Sequence, residues 1–118
     1  KKSAYDALYS LSADLDADFV RQLLERGLHA SHGDIRAHCY QYLLLLFDDA
    51  TYVERCLSDT SKKVRGTVVR TALSGAQMDP RTRLRLSRII EEKNLKLTKK
   101  QKGRLKNLLK ELPRTYLI

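Results

Sequence analysis

Two stretches of the chain repeat each other's apolar pattern, and this repetition narrows the possible folds more than any other feature. Phe19-Val20-x-x-Leu23-Leu24 returns as Tyr52-Val53-x-x-Cys56-Leu57 at an offset of 33 residues. Ile35-Arg36-x-x-Cys39-x-x-x-Leu43-Leu44 returns as Val64-Arg65-x-x-Val68-x-x-x-Ala72-Leu73 at an offset of 29. The four-residue difference falls in the turn at Leu28 to Ser31. Apolar residues three and four apart share one face of an α-helix, so each stretch reads as a helix with a buried stripe. Two helices in tandem, repeated, are two helical hairpins. Such units bury their apolar faces against one another in a stack.

The rest of the chain also reads as helical. Residues 3–12, with Ala4, Leu8 and Leu11 apolar, suggest a short first helix, and Tyr5 and Tyr9 at i, i+4 suit an edge helix packing on its neighbours. Asp16 or Asp18 caps a second helix with Phe19, Val20, Leu23 and Leu24 inward. Gly33-Asp34 opens a third that ends in the apolar run Leu43 to Phe47, and Asp48-Asp49 opens a fourth over Tyr52 to Leu57. Ser61 caps a fifth, with Val64, Val68, Ala72 and Leu73 inward and Gly75 at its end. Asp79-Pro80 pairs a cap with proline at the first helical position and starts a sixth through Leu84, Leu86, Ile89 and Ile90. Thr98 caps a seventh, with Leu105, Leu108, Leu109 and Leu112 inward and Pro113 stopping it. No segment alternates with a period of two, so no sheet is expected.

The stretch from Leu57 to Leu73 resembles the turn and second helix of a HEAT repeat. That pattern has an Asp in the turn, Val-Arg six residues on, then a small residue and Leu, and Asp59, Val64-Arg65 and Ala72-Leu73 occupy those positions. Residues 16–57 resemble the family more loosely: Ile35-Arg36 is present, but Ala30 stands where the turn acid would be. Residues 79–112 fit a degenerate third hairpin. The resemblance implies an all-α, right-handed α-solenoid of about three stacked hairpins, roughly seven helices in one domain over residues 1–118, with the first helix as a cap. It also implies that the Asp59 carboxylate caps a helix and reaches a guanidinium in the stack.

At 118 residues the chain is long enough for one domain with a core that needs neither disulfide nor metal. Cys39 and Cys56 both fall at apolar helical positions and read as reduced core thiols, which suits a cytoplasmic or nuclear protein. No apolar run approaches the roughly 20 residues that span a bilayer. The Lys-Lys start has no signal-peptide core, and the missing initiator Met points to a trimmed chain or a fragment of a longer protein.

Charge carries the functional signal. Residues 1–61 hold six Lys/Arg against ten Asp/Glu, a net of −4, whereas residues 62–118 hold seventeen against four, a net of +13. Arg81, Arg85 and Arg88 share one face of the sixth helix, with Arg83 beside its apolar side. Lys99, Lys102 and Lys106, continued by Lys110, share the polar face of the seventh. Acidic residues for i, i+4 pairing on these helices come down to Glu91, Glu92 and Glu111. Uncompensated like charge is destabilising and persists where a ligand neutralises it. Arg81, Arg85, Arg88, Lys99, Lys102 and Lys106 are therefore the candidate polyanion-binding residues. The expected partner of residues 62–114 is nucleic acid phosphate, and the alternative is an acidic segment on another protein. Tyr116 is the only aromatic near this patch, so base stacking and base-specific readout are not expected.

Chemistry-bearing motifs are absent from the sequence. His29, His32 and His38 beside Cys39 match no metal-ligand spacing, so no metal or cofactor is expected. There is no Gly-x-Ser-x-Gly, phosphate-binding glycine loop or dinucleotide fingerprint. Asp14, Asp16, Asp18, Asp48 and Asp49 precede apolar-periodic segments, where helix starts favour negative charge, and read as caps rather than as an acid–base cluster. The expectation is a binding module that catalyses no reaction and has no evident small-molecule substrate.

Overall fold

Helix starts in this chain follow the side chains that can satisfy the first free backbone N–H groups. The computed structural model describes residues 2–74 and 78–112, and among them every regular element is a helix and none is a strand. The elements are α1 (Lys2–Ser10), a 3-10 turn (Ser12–Asp14), α2 (Ala17–Gly27), α3 (Gly33–Leu46), α4 (Ala50–Leu57), α5 (Lys62–Arg65), α6 (Thr67–Leu73), α7 (Pro80–Glu92) and α8 (Lys99–Lys110). Asp16 accepts from the Phe19 N–H, Asp49 from Thr51, Ser61 from Val64 and Asp79 from Arg81, with Pro80 in the first turn. Thr98 and Gln101 form a reciprocal capping box.

Three features depart from the sequence expectation. α3 starts after His32, with no side-chain cap, and Asp34 lies in its first turn instead. The expected first helix over 3–12 stops at Ser10, which leaves Leu11 55% exposed rather than inward. The expected fifth helix breaks at Gly66, whose ψ of −4° ends α5. Glycine costs a helix about 1 kcal/mol relative to alanine, and the β-branched Thr67-Val68-Val69 that follows is stiff, so this is the weak point of that segment. The expected stops at Gly75 and Pro113, and Tyr116, lie outside the described residues.

The chain divides into two compact units, Lys1–Thr67 and Val68–Ile118. In the first, α3 is the central element and packs against α1, α2, α4 and α5. Ala37, Cys39, Tyr40, Tyr42, Leu43 and Leu44 are buried around it, so it has no continuous polar stripe. Tyr9 of α1 stacks on Tyr42 with ring centroids 4.5 Å apart, and the Tyr42 hydroxyl donates to Asp6, which fixes α1 against α3. α2 comes so close that a Cβ added at Gly27 would overlap the Cys39 sulfur and press on the Tyr5 ring. Burial pushes the Cys39 thiol up to about 12, so it stays un-ionised in the core. The Cys56 thiol is also buried and donates to the Val64 carbonyl at 3.0 Å.

The two turns that lead into α3 and α5 are tied in the same way. Arg36 donates through Nη1 to the carbonyls of Ala30 (2.8 Å) and Ser31 (3.1 Å), and Arg65 donates to those of Asp59 (2.8 Å) and Thr60 (3.0 Å). These contacts are equivalent at the 29-residue offset. The Asp59 carboxylate accepts twice from Arg36, at 3.0 and 3.1 Å, and once from the Ser61 N–H at 2.8 Å. It therefore joins the second turn to the first, while Ser61 caps α5. Lys63 and Asp34, also equivalent at that offset, pair beside this link.

In the second unit, α7 ends in an αL turn. Asn94 has φ of 53°, the Leu95 N–H bonds back to the Ile90 carbonyl at 3.0 Å, and the Asn94 N–H bonds to that of Glu91 at 3.1 Å. This is a Schellman closure with asparagine in place of glycine, and it turns the chain toward α8. Leu86 and Ile90 of α7 and Leu108 of α8 are buried, as are Val68, Thr71 and Ala72 of α6. Arg104 donates to the Leu73 carbonyl at 3.0 Å, which ties α8 to the end of α6.

Two stability predictions follow from the first unit. Asp59→Ala should destabilise by about 1–3 kcal/mol, because it strands Arg36 at a 16%-exposed site, whereas Asp14→Ala should stay within about 0.5 kcal/mol in chemical denaturation. The Arg36 hydrogen bonds hold the Asp59 carboxyl below the usual carboxylate range, against burial, which raises it. Its contribution is thus fully present above about pH 3.9 and drains away as pH falls through the lower folded-state value. Acid unfolding of Asp59→Asn should accordingly show a shallower pH dependence below pH 4 than the parent. Gly27→Ala should destabilise by about 1–3 kcal/mol through overpacking against Cys39, although alanine is the better helix former.

Candidate polyanion-binding surface

The exposed cationic side chains on α7 and α8 lie opposite an apolar stripe on the same helix. Leu86 and Ile90 bury one side of α7, which leaves Arg81 and Arg88 exposed and Arg85 half-buried. Leu108 is buried on α8, and Leu105 and Leu109 are half-buried, so Lys99, Lys102 and Lys106 are exposed opposite them. Arg83, expected beside the apolar side, lies within it at 5% exposure, and its carbonyl accepts from the Ser87 hydroxyl at 2.8 Å. It belongs to the interior of this unit rather than to the surface.

An open cleft of about 450 Å³ runs along α7 and α8, lined by Leu84, Ser87, Arg88, Ile90 and Glu91 of the first helix and Lys102, Leu105 and Leu109 of the second. It brings Arg88 and Lys102, one residue from each expected stripe, to one site. Leu84, Ile90, Leu105 and Leu109 make it apolar, and Glu91 adds an acid beside the two cations. Arg81, Lys99 and Lys106 are exposed on the same helices but do not line the cleft.

Sequence reasoning missed the wall formed by Asn94, Leu95 and Leu97. The signal was present: asparagine is the common alternative to glycine where a helix ends in an αL residue, and an apolar residue after it packs back on the last turn. The expected helices leave residues 93–97 unassigned between them, and two leucines of the site lie there.

Several charged groups of the first unit, by contrast, pair with one another. The Arg21 guanidinium bonds Asp49 at 3.2 Å and lies 4.3 Å from the centroid of Phe47. Tyr52 donates to Glu25 at 2.9 Å, and Arg55 pairs with the same carboxylate at 2.9 Å. Burial, then the bond to Glu25, raises the Tyr52 hydroxyl pKa, so it remains a neutral donor. Among the described residues no group of three or more His, Cys, Asp or Glu is placed to hold a metal ion, and no helix is long and apolar enough to cross a membrane. His29 and His32 lie exposed in the α2–α3 turn, and His38 stacks on Tyr42 with centroids 6.2 Å apart.

The cleft wall can be tested through Asn94. Asn94→Gly should leave stability unchanged or raise it slightly, while Asn94→Val should cost about 1–2 kcal/mol in a denaturant titration, because a β-branched residue resists φ of 53°.

Compared with protein-family models, with curated proteins and with solved structures, the chain matches none.

Proposed function

We propose that the chain is a HEAT-like repeat module that binds a polyanion through its second unit and carries out no catalysis, with nucleic acid phosphates as the ligand. The observation that carries this reading is the meeting of Arg88 and Lys102 on one cleft, with Arg81, Lys99 and Lys106 exposed on the same two helices. Two short helices from one turn hold cations at several points, the arrangement that tracks a phosphate backbone without reading bases. Residues 68–118 carry fourteen Lys/Arg against four Asp/Glu, a net of +10, whereas residues 1–67 carry nine against ten. The equivalent Arg36 and Arg65 turns and the Arg36–Asp59 link support the repeat reading, since stacked repeats bond in register. The buried thiols of Cys39 and Cys56 support an intracellular setting.

One observation favours a second reading. The cleft beside Arg88 and Lys102 has leucine walls, which suit an acidic amphipathic segment of a partner protein better than they suit phosphate.

A salt-series binding measurement with duplex and single-stranded DNA and RNA tests the first reading. Affinity for duplex DNA should fall with a log–log slope near −0.9 per phosphate neutralised. Arg88→Glu and Lys102→Glu should each weaken binding to every sequence alike and reduce that slope, while the thermal midpoint stays within a few degrees, since both side chains lie outside the core. No detectable nucleic-acid binding at low salt, with binding of a Leu/Glu amphipathic peptide that Lys102→Glu abolishes, would transfer the function to the acidic protein segment.

A further inference from the structure

The Arg65 turn repeats the local bonds of the Arg36 turn and lacks its carboxylate. Each arginine, 29 residues from the other, holds two carbonyls of the turn before it through Nη1, at 2.8 and 3.1 Å for Arg36 and at 2.8 and 3.0 Å for Arg65. Both guanidiniums are thus fixed against their own turns in the same manner. Arg36 then uses Nε and Nη2 on the two oxygens of Asp59 and is half-buried. Arg65 is exposed, and among the described residues its Nε and Nη2 meet no acceptor. Its charge acts on the Asp59 carboxylate without a bond, because Arg36 and the Ser61 N–H already occupy that group.

The bonded twin shows what an arginine held this way takes. A planar fork with two parallel N–H groups matches the two oxygens of a carboxylate. The chain's other inter-helix turns offer none: residues 28–32 and 93–98 contain no Asp or Glu, and Asp59 is already bonded. A second copy of the chain therefore brings no free acid of this turn type either. The approach differs as well. Ser61 lies so near the start of α3 that a Cβ added at Gly33 would stand 3.2 Å from its hydroxyl. Lys62 occupies the position equivalent to Gly33, so a following turn cannot seat as closely on this one. A carboxylate projecting from an acidic segment outside it still reaches the exposed fork. Lys62, also exposed and three residues earlier on α5, shares that side of the helix and suits a second acid. Residues 1–67 carry nine Lys/Arg against ten Asp/Glu, so no long-range field of their own draws nucleic acid to this unit.

We infer that Arg65 docks an acidic segment of a partner protein, its Nε and Nη2 donating to one aspartate or glutamate of that segment as those of Arg36 do to Asp59, with Lys62 meeting a second acid. This site belongs to the first unit and does not depend on the polyanion surface of the second.

The arginine Nε–H resonances of the isotope-labelled full chain test it, during titration with a capped peptide of alternating aspartate and serine. A second peptide has asparagine in place of each aspartate. The aspartate peptide should move the Arg65 resonance saturably and leave that of Arg36, already bonded, in place; the asparagine peptide should move neither. Arg65→Lys keeps the charge and loses the fork, so it should weaken binding about fivefold, the size of a well-aligned exposed ion pair. That variant also loses two turn bonds, so if it unfolds the two peptides on the parent chain decide alone. Lys102→Glu should leave the Arg65 shift unchanged; a shift that vanishes with it puts the peptide on the second unit and overturns the inference, whatever the outcome with nucleic acid. The inference is also overturned if the Arg65 resonance stays unmoved or if the asparagine peptide moves it equally. A stronger response to inorganic phosphate or oligothymidylate at equal concentration would give the fork to phosphate and overturn it as well.

Discussion

Helix α3 has to be covered on nearly every side. Of its fourteen residues only Asp34 is exposed, and the tyrosines, leucines and Cys39 around it leave no polar stripe to face water. Everything else in the first unit answers to that requirement. α1 covers it through Tyr9 and Tyr42, α2 through the close approach at Gly27, and α4 and α5 from the other sides. A helix buried this fully gains about 1.5–3 kcal/mol per large apolar side chain removed from water, far more than any surface pair contributes.

Order among the covering helices comes from a smaller set of polar contacts. The Arg36 guanidinium meets two turn carbonyls and a bidentate carboxylate, satisfying three acceptors from two turns at one place. A lysine could not do this, because its ammonium lacks the planar fork that matches a carboxylate. Arg65 repeats the local half of the arrangement on its own turn. Apolar burial thus sets which elements meet, and the arginine turns set their register.

The two units divide the chemistry between them. In the first, opposite charges lie close and are paired, as at Arg21–Asp49 and Arg55–Glu25, so its charges serve the fold. It also holds an apolar groove lined by Ala13, Ala17, Val20, Leu46 and Phe47. In the second, cations far outnumber acids on both long helices, and a cleft brings one cation from each together over leucines. On the proposed reading, the second unit draws a polyanion through its long-range field.

The all-helical class, the positions of most helix starts and the cationic faces of α7 and α8 were legible in the sequence, because each depends on residues within one or two turns of one another. Caps at Asp16, Asp49, Ser61, Asp79 and Thr98 need only a side chain and an N–H two or three residues on. Periodicity assigned Val20, Leu24 and Leu108 to the interior for the same local reason. What tertiary structure decided was which of two equally apolar positions found a partner. Leu11 and Phe19 carry the same signal as Leu8 and Val20, yet they are 55% and 49% exposed. Periodicity set Arg83 only beside the apolar side of its helix, but packing buries it, while Arg85 stays half-exposed. The Arg36–Asp59 link, the Gly27 approach to Cys39 and the meeting of Arg88 with Lys102 join residues 12 to 23 positions apart. Local pattern says that a side chain must be buried or paired; only the packing of distant segments says with what.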